Sequence, residues 1–219
     1  MEVMQKNWNG KLVQQFLLTQ WRCRGGNDYV NYVKAILEGK VSNRQEIKNY
    51  DFKLYNDVDQ MVNDIKNLND DLGLCRVAAG YAWEWNTKGL PTHQTDIYDI
   101  EIDDYKYKWN HTQDNWIGTE NSINEIGCIH TVQGYDLNYL GVIIGEDIKY
   151  DKNRKEIYAD SRNYYDKMGK ASIADKPELL KEYLLNIYLT MMTRGIRGTY
   201  VYVCDPDLRE YMSQYIDEV

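Results

Sequence analysis

The strongest constraint on this chain is a repeated change of hydrophobic period. Short, nearly continuous apolar runs alternate with segments whose apolar residues recur every three to four positions. The runs are LCRVAAGYA at 74–82, LGVIIG at 140–145 and TYVYVCD at 199–205. A run that is apolar on both faces is buried on both sides, as strands of a parallel sheet are. Residues 28–38 place Tyr29, Val30, Val33, Ile36 and Leu37 at helical spacing, with Gly39 as a stop. Asp57 or Asp59 can cap a second helix carrying Val58, Met61, Val62, Ile65 and Leu68. Pro177 suits a first helical position ahead of a stripe that includes Leu180, Leu184, Tyr188 and Met191. PDLREYMSQYI at 206–216 reads as a closing helix. Strands alternating with helices imply an α/β fold with a mainly parallel sheet.

Further strands are expected at 11–20 (KLVQQFLLTQ), 51–55 (DFKLY) and 126–131 (IGCIHT), a helical turn at 120–125, and a polar hairpin in EDIKYDKNRKEIYA. From Trp83 to Thr119 the pattern changes. YDIEIDDYKYKW alternates strongly, and Trp83, Trp85, Trp109 and Trp116 flank or close it. This predicts a Tyr/Trp-rich β insertion over about 83–119, with a strand or hairpin at a sheet edge. The chain has 3 Pro and 15 Gly and no internal repeat, so no flexible linker is indicated and 1–219 is read as a single domain.

The net charge of −8 disfavours non-specific grip on nucleic acid, which draws on Lys and Arg, although a local basic groove is compatible with it. The 20 Tyr and 6 Trp against 2 Phe suit half-wet positions and partner-facing surfaces. Cys23, Cys75, Cys128 and Cys204 form no CxxC pair, and the last three sit in apolar runs. That usage points to a reducing, cytoplasmic setting without disulfides or zinc. His93, His111 and His130 are too scattered to suggest a metal centre. MEVMQKNWNG lacks the apolar core of a signal peptide, and no apolar run approaches membrane-spanning length. A soluble protein with no membrane partner is expected.

The motifs begin with an absence. There is no GxxxxGK[ST], and Gly25-Gly26 is followed by Asn-Asp rather than by a lysine and a hydroxyl. Nothing in these residues can cradle nucleotide phosphates as a P-loop does. HExxH, GxSxG and GxGxxG are also missing. Three ordered segments are more informative: QFLLTQWRCRGG at 15–26, CIHTVQGYDLNYLGVIIG at 128–145 and NIYLTMMTRGIRGTYVYVCD at 186–205. They resemble motifs IV, V and VI of superfamily 1 helicase-type ATPases. Together with CRVAAGYAWEW and YVYVCDPDLREY, they are most similar to the helicase-like domain shared by Schlafen-type and related bacterial and phage ATP-binding proteins. The resemblance covers about residues 11–217, at the level of pattern.

The resemblance implies the C-terminal RecA-like domain of such a motor, a three-layer sandwich. In that family ATP and Mg²⁺ lie between two RecA-like domains and are held mainly by the first. The second reaches across with arginines, whose planar forks match a phosphoryl group. Arg194, after Thr193, is then the motif VI finger and Arg22 the motif IV finger. Arg197 assists from the same helical face if the helix continues. Gln133, Gly134 and Asp136 flank the nucleotide, with Asp136 where helicases often carry a longer Glu. His130 and Thr131, ending a strand, face nucleic acid. Such a domain is part of an ATP hydrolase only when joined, in cis or in trans, to a P-loop domain, and is expected to be inactive alone.

Plainer readings stand beside these. Arg194 is well placed as a solvated cation at a helix C-terminus, and Arg22 as a turn residue beside Arg24. His130 reads equally as a satisfied core histidine. Trp83 and Trp85 either stack bases or pack the insertion. An alternative function is a stand-alone module, of the kind a phage or mobile element carries, that docks on a host protein partner.

Overall fold

The computed structural model describes residues 22–90, 96–111, 115–173 and 175–219. The strand expected at 11–20 lies outside them. The expected alternation is present from the first element onward: α1 (Gly26–Leu37), β1 (Asp51–Tyr55), α2 (Val58–Leu72) and β2 (Cys75–Ala79). The insertion carries β3 (Ile100–Ile102) and β4 (Tyr105–Tyr107), then 3-10 turns at Trp116–Gly118 and Glu120–Asn124. There follow β5 (Ile126–Gly127), α3 (Ile129–Val132), β6 (Leu137–Ile144), β7 (Ile148–Asp151) and β8 (Glu156–Ala159). The chain closes with α4 (Lys167–Lys170), α5 (Pro177–Met192), β9 (Gly195–Val203), α6 (Pro206–Ser213) and β10 (Asp217–Glu218).

Six strands form one sheet in the order β10-β1-β9-β6-β2-β5, and every pairing in it is parallel. Side chains alternate across it. Phe52, Leu54, Val142, Ile144, Val201 and Val203 face a core shared with α1, α5 and α6. Tyr55, Val77, Ile143, Tyr200 and Tyr202 face a second core with α2 and the insertion. Both faces are therefore covered, which is why these strands read as continuous apolar runs. This is the α/β, RecA-like three-layer arrangement.

Local chemistry starts the helices as expected. Asp57 Oδ1 accepts from the Gln60 N–H at 2.7 Å, and Asp205 Oδ1 from the Leu208 N–H at 2.8 Å. Pro177 and Pro206 occupy first-turn positions where no N–H is needed. The polar segment 146–159 forms the β7–β8 hairpin.

Three expectations are corrected. The IGCIHT segment is a strand for only two residues. The Thr131 hydroxyl accepts from the Cys128 N–H at 2.7 Å and donates to the Cys128 carbonyl at 3.0 Å, and the chain turns into α3. A side chain that satisfies the backbone locally has displaced the ladder. Second, among the described residues β3 and β4 pair with each other and do not extend the six-stranded sheet. The insertion joins the β5 edge further on, through a parallel bridge between Trp109 and Ile126. Buried Asp99 ties its ends together, accepting from the Thr87 N–H and hydroxyl and from the Trp109 N–H at 2.7–3.0 Å. Third, α5 stops at Met192 and β9 begins at Gly195, so Arg197 lies in a strand and not on the helix. The short strand β10, parallel to β1, has no counterpart in the sequence reading. No helix among the described residues is long and apolar enough to cross a membrane.

Candidate functional site

Chemistry-bearing side chains gather at both ends of the parallel strands. At the N-terminal ends, the α5–β9 junction is fixed by its own carbonyls. The last carbonyls of a helix have no intrahelical partner. Here Leu189 O accepts from Thr193 N at 3.1 Å and Thr193 Oγ1 at 2.9 Å, and Met191 O from Arg194 N at 2.9 Å. Met192 O accepts from the Tyr29 hydroxyl at 2.7 Å and the Thr199 hydroxyl at 2.8 Å. Beyond the helix, Thr193 O receives the Cys23 thiol at 3.1 Å and Gly195 O the Tyr50 hydroxyl at 3.0 Å. The Arg24 N–H donates to Ile196 O at 2.9 Å, which docks the turn at 22–25 on the same junction. Cys23 is thus a buried packing group.

Three of the predicted site residues, Arg22, Asp136 and Arg194, are brought together there from distant parts of the chain. Arg22 Nε donates to Asp136 Oδ1 at 2.9 Å, with side chains 40% and 67% exposed. Arg194 is half-buried, and its Nε is buried without a hydrogen-bond partner among the described residues. Burial holds its pKa below the usual guanidinium value. The Arg22 charge lowers it further, while Asp136 pulls the other way. The result is a partly desolvated guanidinium that feels both the charge of Arg22 and that of its partner Asp136. Gln133 and Gly134 are exposed on the loop ahead of β6. Gly134 has φ 95, a backbone state that favours glycine, and nothing stands within 4 Å of where a Cβ would be.

Arg197 is separate from this pair. Its Nε donates to Asn138 Oδ1 at 3.2 Å, and it lines a cavity of about 360 Å³ with Arg24, Asn49, Asp51 and Tyr139. Motif V is divided. Asp136 stands at the start of β6, whereas Thr131 is buried and bonded to Cys128. His130 is exposed on α3, its ring 5.9 Å from that of Tyr81.

At the C-terminal ends of β2 and β5 lies a cavity of about 730 Å³. Its floor is Trp109, fully buried, with Nε1 donating to Gly127 O at 3.1 Å. Tyr81 meets Trp109 edge-on at 4.8 Å and Trp85 meets it at 5.9 Å. Lys88 Nζ stands 5.0 Å over the Trp85 ring. The facing wall is the segment 165–169 and Tyr183 on α5. It is fixed by the Tyr165 N–H, which donates to Tyr81 O at 2.7 Å, and by Asp166, which caps α4. Trp83 and Trp85, marked in the sequence by the WEW run, line this cavity; their partners come from four distant segments and no local signal announced them.

Two buried polar residues also escaped the sequence reading. Arg76 donates to Ser122 Oγ, Asn69 Oδ1, Cys75 O and Ile117 O, and burial lowers its pKa. Asp147 accepts the Tyr188 hydroxyl at 2.6 Å, and burial pushes its pKa up to about 7. Among the described residues no group of three His, Cys, Asp or Glu is placed to hold a metal ion.

Comparison with known proteins agrees with the fold and the ordered motifs. The family model for the Schlafen group 3 DNA/RNA helicase domain matches residues 1–205. Uncharacterized protein YPL245W of Saccharomyces cerevisiae is 34% identical over 175 residues, covering 75% of this chain. The chain spans only 37% of that yeast protein's length. No solved structure matches.

Proposed function

Because this chain belongs to the Schlafen group 3 DNA/RNA helicase domain family, we propose that it is the second half of a helicase-type NTPase motor. It faces ATP and Mg²⁺ held mainly by a P-loop RecA-like domain, in cis or in trans. The observation that carries this reading is the meeting of Arg22, ion-paired to Asp136, with Arg194, whose Nε is buried and unbonded among the described residues. Two neighbouring guanidinium groups present planar N–H forks that match the oxygens of a polyphosphate.

When bound, ATP supplies the phosphoryl group whose equatorial oxygens carry the charge of the transfer. Arg194 offers N–H donors that are already partly desolvated and held on a clamped backbone. Little reorganisation is then required as charge develops. Arg22 is half exposed, so its ion pair with Asp136 is cheap to exchange for a phosphate oxygen. Gln133, Gly134 and Asp136 form the loop flank of the site, where the open space over Gly134 admits close approach of a ligand. Arg197 acts from the neighbouring cavity and not as a third finger. Of the two residues suggested for nucleic acid, His130 is available and Thr131 is occupied by Cys128.

The test is ATP turnover with Mg²⁺, measured for the chain alone and for the chain joined to or mixed with a P-loop domain from the same protein or operon. The expected outcome is turnover only for the combination, with Arg194→Ala lowering it by about a thousand-fold. Turnover by the chain alone above that of its Arg194→Ala variant would falsify the reading.

A further inference from the structure

The cavity at the far end of the sheet has a different chemistry from the arginine pair. We propose that it binds a lysine or arginine side chain presented by a segment of a protein partner.

Three features of its walls select that occupant together. The first is the aromatic lining of Trp83, Trp85, Tyr165 and Tyr183, rings of a kind that attract cations through their quadrupoles. Lys88 Nζ already stands 5.0 Å over Trp85, so that face accepts an ammonium. The chain's own lysine is a resident that an incoming cation displaces. The second is charge. Glu84 and Asp166 line the same cavity, opposed, once Lys88 is displaced, by Lys167. The chain as a whole carries −8, which draws basic partners. The third is an unmet donor: Trp85 Nε1 is buried and has no partner among the described residues. A buried N–H without an acceptor is costly.

A nucleobase supplies the acceptor but no positive charge for the carboxylates. A free alkylammonium supplies the charge but no acceptor. A peptide bearing Lys or Arg supplies both, the side chain to the rings and a backbone carbonyl to the indole N–H. The mouth favours a protein partner as well. Met168 is 90% exposed, and Tyr165 and Tyr183 add exposed ring surface beside it. The cavity is remote from the α5–β9 junction along the strands, so this proposal and the motor reading stand or fall separately.

Calorimetric titration of the whole chain with a blocked Gly-Gly-Arg-Gly-Gly peptide tests it, with the Gln analogue as the uncharged control. Saturable binding of the Arg peptide is expected, and binding about tenfold weaker or worse for the Gln peptide. Glu84→Gln, a change at an exposed position, weakens the Arg peptide several-fold. Lys88→Ala tightens it several-fold, because the resident cation is gone. Tightening cannot arise from a damaged fold, so this variant keeps the proposal exposed to failure. The proposal is overturned by equal binding of the two peptides or by unchanged or weaker binding to Lys88→Ala. It is also overturned by AMP or oligothymidylate displacing the Arg peptide.

Discussion

At the N-terminal ends of β6 and β9 the outward groups are cations on a clamped backbone, whereas beyond the ends of β2 and β5 they are rings that hold one another. The clamp on Arg194 is made of carbonyl partners: Tyr29, Thr199, Cys23 and Tyr50 each bond a main-chain oxygen between Met192 and Gly195. The Arg194 Nε itself bonds nothing among the described residues. The aromatic end is the reverse. Tyr81 and Trp85 are positioned by edge contacts to Trp109, which also fills the core beneath the insertion. One end can therefore lose its chemistry without losing its structure, and the other cannot.

The largest expected effect tests the first half of that contrast. In the assembled ATPase, Arg194→Ala should cost about a thousand-fold in turnover. Its unfolding free energy should stay within about 1 kcal/mol of the parent, since a half-buried cation with an unbonded Nε contributes little to the fold. A variant that lost activity only in proportion to lost stability would break the distinction. At the other end, Trp109→Ala removes a fully buried indole, its bond to Gly127 O and the support of two neighbouring rings. Denaturant unfolding should show a loss of about 3–5 kcal/mol. Under conditions where the variant is folded, binding of the Arg peptide should be lost as well.

A smaller effect comes from Asp147, fully buried against Tyr188 of α5. Its carboxyl is raised to about 7 by burial, against an ordinary Asp near 3.8. Between those values the folded chain keeps a proton that the unfolded chain has released. This group therefore favours folding at the acid side of the window, and its contribution is lost as pH rises through about 7. Asp147→Asn retains an acceptor for Tyr188 and cannot ionise. Urea midpoints taken at intervals from about pH 5 to about pH 8 should fall with pH more steeply for the parent than for the variant. Parallel slopes would show that Asp147 does not titrate in this range.

The contrast between the ends also explains what was legible in the sequence. Local rules placed α1, β1, the Asp57 cap, the β7–β8 hairpin and the Pro177 helix start, because each depends on residues within a few positions. The end of α5 was missed for an equally local reason. No Gly or Pro stands at the cap itself, and the Thr193 hydroxyl terminates it by bonding back to Leu189 O. That stop moved Arg197 from a helical face into β9. The Thr131 hydroxyl misled the reading of 126–131 in the same way. The meeting of Arg22 with Arg194 was legible only through resemblance to an ordered set of motifs, since no spacing joins residues so far apart. Of the cavity around Trp109, the WEW run was legible and the assembly was not. It is assembled from Tyr81–Lys88, Trp109, His130, Tyr165–Gly169 and Tyr183, and tertiary packing alone brings them together.

The smallest expected effect on the fold is the most exacting test of the arginine end. Arg22 and Asp136 form an exposed ion pair, 40% and 67% accessible, and such pairs contribute about 0–1 kcal/mol. Asp136→Asn should therefore leave stability nearly unchanged. It should nevertheless alter the site, because the carboxylate pairs with Arg22 and its charge is felt by Arg194. With it neutralised, Arg22 loses that ion pair and the potential beside Arg194 becomes more positive. Affinity for inorganic tripolyphosphate should rise a few-fold at low ionic strength and converge with the parent as salt screens the charges. A rise in affinity without a change in stability is the signature of a group that competes with an anion for the same arginines. A marked loss of stability, or weaker tripolyphosphate binding, would instead make Asp136 part of the scaffold and Arg22 an ordinary surface residue.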